Sequence, residues 1–312
     1  MAVTDEFWAI TSYFNPLGYK TRRENYRLFR QRLSVPLIAI ELAYESAFEL
    51  GDADADILIQ VRGGDVMWQK ERLLNLARAA LPPSCSKVAV LDCDVFFRRG
   101  DWAEQASKLL DRVAIAHLYR GMHYLPAGAT SAIGEIAFAE PMRVSIISAV
   151  ASGLDAETCL EAGNGPKAGY FGTGLAWAVQ REILDLHPAY DAFILGGGAR
   201  AMIAGIYNCF DHLTRRMRLN ETEVAHFREW ADPFRRTVGD AIGYLDGDIF
   251  HLWHGSLENR RWYARYEPMP RFRFNPYEDI ALTENGLWRW NSDKPDLHGY
   301  VREHFARRRE DG

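Results

Sequence analysis

An open, mostly parallel α/β sheet flanked by helices, in a single main domain with a C-terminal appendage, is the fold this sequence predicts. Three observations carry that expectation. Apolar runs of strand length at 36–43, 57–61 and 87–91 are continuous rather than alternating, the pattern of strands covered on both faces. Segments of helical spacing lie between them, in the order strand, helix, strand, strand, helix, strand, which a crossover-connected sheet requires. The chain has 312 residues, 48% of them apolar, enough to build a large core.

Phe7 to Phe14 is a β-rich run that halts at Asn15-Pro16-Leu17-Gly18, so it reads as a first strand ending in a turn. Helical spacing follows from Thr21 to Leu33, and then come the strands PLIAIELA (36–43) and ILIQV (57–61). From Val66 to Ala80, Leu73, Leu74, Ala77 and Leu81 recur on one helical face until Pro82-Pro83 stops the helix. KVAVL (87–91) is a further buried strand. The second half is less regular, with Gly-rich turns at 169–174 and 196–198, each followed by helix-compatible sequence. No internal repeat is present. Residues 1–265 read as the main domain and 266–312, rich in Pro, Arg and aromatics near its start, as an extension wrapping it. Arg307-Arg308-Arg309 reads as a solvated tail.

Charge and cysteine usage narrow the function classes. A net charge of −5, from 37 basic and 42 acidic residues, lacks the footprint of a protein that grips many phosphates of a duplex. Cys85, Cys93, Cys159 and Cys209 form no CxxC pair, so reduced thiols in a cytoplasmic protein are expected. No run approaches the roughly 20 apolar residues of a membrane-spanning helix, and MAVTDEFW lacks the basic and apolar regions of a signal peptide.

Ligands of open α/β sheets bind at the carboxyl ends of the strands, and Asp92-Cys93-Asp94 stands directly after KVAVL. Alternation points both carboxylates the same way. Such hard oxygens suit Mg2+ or Mn2+ carrying a diphosphate, although isolated loop aspartates more often serve as caps. Farther on, IFHLWHG (249–255) carries His251 and His254 beside Trp253. A histidine there is either packed as an aromatic or, for His254, the further ligand that would complete a site of two carboxylates, one imidazole and phosphate oxygens.

The ordered set FNPLGY, WQKERLLN, LDCDVFF followed by DW, GYFGTGLAWAVQRE, ILGGGARAM and HLWHGSLENRRWY, spread over residues 7 to 265, resembles nucleotide-sugar glycosyltransferases of the GT-A fold, particularly bacterial and phage members with a WIDADI-like metal motif. That resemblance implies a Mn2+ or Mg2+ site at Asp92, Asp94 and His254, with a UDP-sugar as the commonest donor. It places Thr11, Ser12, Tyr13 and Phe14 at the nucleotide base. Lys70, Arg72 and Asn75 fall on a helix leading toward the diphosphate, or else on a surface ion-pair face. Gly172, Gly174 and Trp177 match the glycine-rich turn that shapes the sugar pocket, where close backbone approach needs residues without side chains.

One position departs from the resemblance. Members of the family carry an acidic residue after the glycines of ILGGGARAM, a general base for the acceptor hydroxyl, and this chain has Ala199. Three accounts are open: an engineered substitution, a base drawn from Asp191, Asp211 or Glu258, or a retaining reaction that needs none. The acceptor is a glycan or, as in phage relatives, a modified base of DNA. For the latter, Arg260, Arg261, Arg265, Arg271 and Arg273 interleave with Trp262, Tyr263, Tyr266 and Phe272, a pattern that either tracks a nucleic acid or forms a packing seam. Two competing readings stand beside the transferase: a nucleotidyltransferase, for which FNPLGYKTRR is a poor signature loop, and a sugar- or nucleotide-binding relative without turnover, for which Ala199 speaks.

Overall fold

The computed structural model describes residues 6–129, 143–162, 171–256, 258–260 and 264–312. The first half runs β1 (Phe7–Phe14), α1 (Lys20–Arg32), β2 (Leu37–Ala43), β3 (Ile57–Arg62), α2 (Lys70–Arg78) and β4 (Lys87–Leu91), the order expected from the sequence. Then follow β5 (Val95–Phe97), α3 (Trp102–Leu110), β6 (Ile115–His117), β7 (Gly121–Tyr124), β8 (Arg143–Ser145), α4 (Ile146–Ala151), α5 (Ala156–Ala162), β9 (Phe171–Gly172) and β10 (Ala176–Gln180). The remainder comprises α6 (Arg181–Leu186), α7 (Gly198–Ile206), α8 (Phe210–Met217), α9 (Glu221–Val238), β11 (Ile242–Tyr244), β12 (Asp248–His251), α10 (Met269–Phe272), β13 (Ile280–Leu282), β14 (Trp288–Trp290) and α11 (Pro295–Ala306).

The main sheet has the order β11-β6-β10-β4-β1-β2-β3. Strands β4, β1, β2 and β3 are parallel neighbours, and β10 enters antiparallel between β4 and β6. All seven residues of β2 are buried, as its continuous apolar run requires. Strand β3 departs from the same expectation: it is the sheet edge, and none of its residues is fully buried. Helices cover both faces. Ile10 and Phe14 of β1 pack with Leu73, Leu74 and Ala77 of α2 on one side, and Phe7, Ala9 and Tyr13 pack with Tyr26 and Phe29 of α1 on the other. The alternation of β1 thereby decides which of its residues meet α1 and which meet α2.

A second, smaller sheet, β5-β12-β7-β8-β9, stands beyond the carboxyl end of β4, because β5 leaves the Asp92–Asp94 turn to pair antiparallel with β12. The C-terminal segment enters the main core. Leu287, Leu297, Val301 and Phe305 belong to the same cluster as Ile10, and Phe305 stacks on Trp68 with ring centroids 6.4 Å apart. The solvated-tail expectation for Arg307–Arg309 is corrected at its middle residue: Arg308 is 5% exposed, and Glu310 beyond it is fully buried. The chain returns here to cap α1, where the Asp311 carboxylate accepts from the Lys20 and Thr21 N–H groups, the orphan donors of a helix start. The four cysteines are free. Among the described residues no helix is long and apolar enough to cross a membrane.

Candidate active site

A cavity of about 210 Å3 opens at the carboxyl ends of β1 and β4. Its lining carries eight cationic side chains (Arg22, Lys70, Arg143, Arg200, Arg216, Arg260, Arg265 and Arg308) against the carboxylates of Glu71, Asp92 and Asp94. For a chain of net charge −5 this is a concentrated positive focus, suited to an anion such as a diphosphate.

Strand pairing assembles the metal-competent corner. His251 stands opposite Val95 in the β5–β12 ladder, and the Leu252 N–H donates to Asp94 O at 2.8 Å, so both histidines are delivered to Asp94. His254 Nε2 lies 3.2 Å from Asp94 Oδ2, His251 Nε2 lies 3.5 Å from Asp94 Oδ1, and the two Nε2 atoms are 3.1 Å apart. Ligand atoms about 2.1 Å from a common ion, at tetrahedral or octahedral angles, stand about 3.0–3.4 Å from one another. The trio therefore has the spacing of a coordination shell, and Asp94 Oδ1 is buried with no hydrogen-bond partner among the described residues. Burial pushes the Asp94 carboxyl up, but His251 and His254 outweigh it and hold the group well below the usual carboxylate range. Burial, reinforced by the Arg260 guanidinium, pushes His254 down to about 3, so it is the neutral imidazole that ligates metals.

A second layer holds this trio. Glu310 Oε1 faces His254 Nδ1 at 3.7 Å and accepts from Arg308 Nε at 2.5 Å and Arg22 Nη2 at 3.0 Å, while Oε2 takes the Arg22 Nε–H. Burial opposes ionisation of Glu310, but the two guanidinium groups and His254 hold its carboxyl well below normal. Carboxylates placed behind metal-ligating histidines fix the ring orientation and raise ligand basicity.

Asp92 goes elsewhere. Its Oδ1 pairs with Lys70 Nζ, and it is not one of the three residues whose ligand atoms cluster within 4.8 Å. Burial raises the Asp92 carboxyl despite the lysine. Of the expected set Asp92, Asp94 and His254, the structure brings Asp94 and His254 together and adds His251, while Asp92 pairs with Lys70. Spacing between 251 and 254 did not reveal the partner; only the β5–β12 register does.

The other expected residues divide by strand face and helix face. Ser12 and Phe14 line the cavity, whereas Thr11 donates to Leu91 O at 2.7 Å and Tyr13 donates to Glu49 Oε2 at 2.5 Å on the α1 side of the sheet. Those two make no cradle for a base. Lys70 reaches the cavity, but Arg72 and Asn75 clip a neighbouring loop: Arg72 Nη1 lies 3.3 Å and Asn75 Nδ2 3.0 Å from Asp191 Oδ2. Gly172 and Gly174 line it as expected, and a Cβ on Gly172 would stand 2.3 Å from the Tyr119 hydroxyl. The Gly174 carbonyl accepts from Tyr119 Oη–H at 3.1 Å and lies 3.0 Å from His117 Nε2. Burial drives His117 down to about 3, so the ring is neutral and Nε2 carries the proton it donates to Gly174. Leu175 closes this turn at φ +79, and its carbonyl accepts from the Asp92 N–H at 2.8 Å, joining the glycine turn to the metal loop.

Trp177 lies one step away, stacked on His117 at 4.3 Å and lining a second, apolar cavity of about 100 Å3. Ala199 lines both cavities from the first turn of α7, opposite Gly174, whose added Cβ would stand 3.2 Å from the alanine methyl. The alternative bases are absent from both. Asp191 is tied to Arg72 and Asn75, and Asp211 and Glu258 are exposed. In the C-terminal arginine cluster, Arg260 and Arg265 turn into the cavity. Tyr266 and Phe272 are buried, with Arg271 over the Phe272 ring at 4.6 Å, which is a packing seam; Arg261, Trp262 and Tyr263 lie outside the described residues.

No protein-family profile and no curated protein matches the chain. Solved structures that it resembles include glucosyl-3-phosphoglycerate synthase from Mycobacterium tuberculosis, at 13% identity and TM-score 0.42, covering 92% of this chain and 88% of that one. A mannosyltransferase from Pyrobaculum calidifontis in complex with GDP-Man and Mn2+ is similar at 14% identity and TM-score 0.34, covering 75% and 73%. 4-Diphosphocytidyl-2C-methyl-D-erythritol synthase from Anaerococcus prevotii is similar at 11% identity and TM-score 0.32, covering 77% and 86%.

Proposed function

We propose that this chain is a metal-dependent glycosyltransferase of the GT-A type, moving a sugar from a nucleoside-diphosphate sugar to an acceptor hydroxyl. The observation that carries the reading is the Asp94, His251 and His254 trio at the end of β4, on the floor of an arginine-lined cavity. These three residues would hold a divalent cation. One carboxylate with two imidazoles suits Mn2+ better than the oxygen-seeking Mg2+, which narrows the expected pair. When bound, that cation neutralises the charge that builds on the leaving diphosphate.

The chain's own residues do the rest. Lys70 and Arg260, which line the same cavity, offer donors to diphosphate oxygens. Ser12 and Phe14, at the end of β1, bound the cavity where the nucleoside would lie. Gly172, Gly174 and Gly198 line the part of the cavity where a hydroxyl-rich sugar would lie, and each is kept a glycine by its own neighbours, Tyr119, Ala199 and Glu71. A glycan acceptor is favoured over a base of DNA, because part of the arginine and aromatic cluster packs on itself, with Arg271 over the buried Phe272 ring.

A second reading keeps donor binding without turnover, and Ala199 favours it: a methyl group faces the cavity where a base is expected. Calorimetric titration of UDP, GDP and their sugar conjugates, with Mn2+, with Mg2+ and with chelator, tests both readings. Metal-dependent binding of one nucleotide, abolished in Asp94→Ala, is expected. No binding with any metal would overturn the transferase and the binding protein together, whereas binding without product would leave only the second.

A further inference from the structure

Resting on the transferase reading, we propose that Glu71 is the general base of the reaction, the carboxylate that takes over the proton-accepting task Ala199 cannot perform. The polar cavity and the apolar cavity share a wall, and the ionisable side chains on that shared wall are Lys70, Glu71 and Asp92. Asp92 is committed to Lys70, and Asp94 on the polar side alone is committed to His251 and His254. Glu71 has no ion pair or side-chain hydrogen bond among the described residues; its own backbone N–H is its hydrogen-bond donor.

Its position is next to the alanine's helix turn. A Cβ on Gly198 would stand 2.4 Å from Glu71 Oε1, so the carboxylate lies against the first residue of α7, immediately before Ala199. Two elements remote in sequence thus meet: Glu71 of α2 and Ala199 of α7 line the same two cavities, so α2 brings a carboxylate to the wall on which an acidic residue at 199 would have stood. The glycine at 198 is what admits it. Burial, only partly offset by Lys70, raises the Glu71 carboxyl toward the range of a working base. Asp92 and Asp191 add negative potential from the turn after β4 and the loop before α7.

In the step so assigned, the acceptor oxygen forms a bond to the anomeric carbon while the bond from that carbon to the diphosphate oxygen breaks. The acceptor proton passes to a Glu71 carboxylate oxygen, and the electron pair leaves with the diphosphate. Attack opposite the leaving group inverts the anomeric centre.

The test uses the full chain with Mn2+ and whichever nucleotide sugar binds in the titration, with methanol offered as a small acceptor whose glycoside cannot mutarotate. Nucleotide release is followed, and the methyl glycoside is identified by proton NMR. Glu71→Gln should keep donor affinity within about two-fold of wild type while turnover falls roughly 10² to 10⁴-fold, the range of general base catalysis. Glu71→Asp should recover part of it, and the wild-type glycoside should have inverted configuration. Near-normal turnover in Glu71→Gln, a retained glycoside, or a wild-type chain that binds donor yet releases no nucleotide would each overturn the assignment. Absent donor binding would instead sink the transferase reading, so the two failures are separable.

Discussion

Two corners of one cavity are built on opposite plans. The metal corner is a closed polar network in which Asp94, His251, His254, Glu310, Arg22 and Arg308 answer one another's charges over a sequence span of nearly the whole chain. The glycine corner, formed by Gly172 to Gly174, Gly196 to Ala199 and Glu71, is backbone and small side chains with one carboxylate. The difference teaches a division of labour. Fixed charge has to be paired and oriented by partners, whereas the glycine corner lets backbone and neighbouring side chains close up, as a Cβ at Gly172 or Gly198 would run into Tyr119 or Glu71.

Breaking the metal corner should have the largest effect. Asp94→Ala should abolish Mn2+-dependent donor binding and lower turnover by about a thousand-fold or more, since a bound metal supplies several kcal/mol of charge stabilisation; calorimetry and initial rates read both. At the glycine corner, Gly198→Ala should cost roughly 10²-fold in turnover, because the new methyl displaces Glu71 by a distance of the kind that spoils reaction geometry. Its thermal midpoint should stay close to wild type. A Gly198→Ala enzyme with normal rates would erase the contrast between the two corners.

Glu310→Gln probes the second layer. Mn2+ affinity should weaken roughly 10 to 100-fold, and the protein should lose stability even with chelator present, because Arg22 and Arg308 are left buried beside a neutral amide. Unchanged Mn2+ titrations would place Glu310 outside the site's support. The smallest effect concerns His117, whose folded-state value lies near 3. Between about pH 6.5, the ordinary histidine value, and that lower value, the unfolded chain holds a proton the native chain does not, so stability declines as pH falls through this window. His117→Gln should remove up to about 1.4 kcal/mol per pH unit of that slope, measured by urea unfolding at a series of pH values. A variant with the wild-type slope would assign the acid sensitivity to other groups.

The early fold was legible because its signals are local. The apolar runs of β2 and β4, the helical spacing of α2 stopped by Pro82-Pro83 and the turn at Asn15-Pro16 each depend on neighbours a few residues away. The position of Asp94 at a strand's carboxyl end followed from the same signals. Strand order did not. Nothing local distinguishes an edge strand such as β3 from a central one, and nothing local tells that β10 enters antiparallel beside β4.

By itself, then, the sequence determined the α/β class, the helices and strands from β1 to β4, and a carboxylate motif at the end of β4. Only the tertiary structure decided that His251 joins His254 at Asp94, that Asp92 answers Lys70, that Glu310 is buried behind His254 and that Glu71 stands against Gly198. The physical reason is range. Backbone propensity and apolar periodicity act over one or two turns of chain, while a site is made by pairing charges that sequence separates by tens to hundreds of residues, and burial of the surrounding core alone brings them within reach.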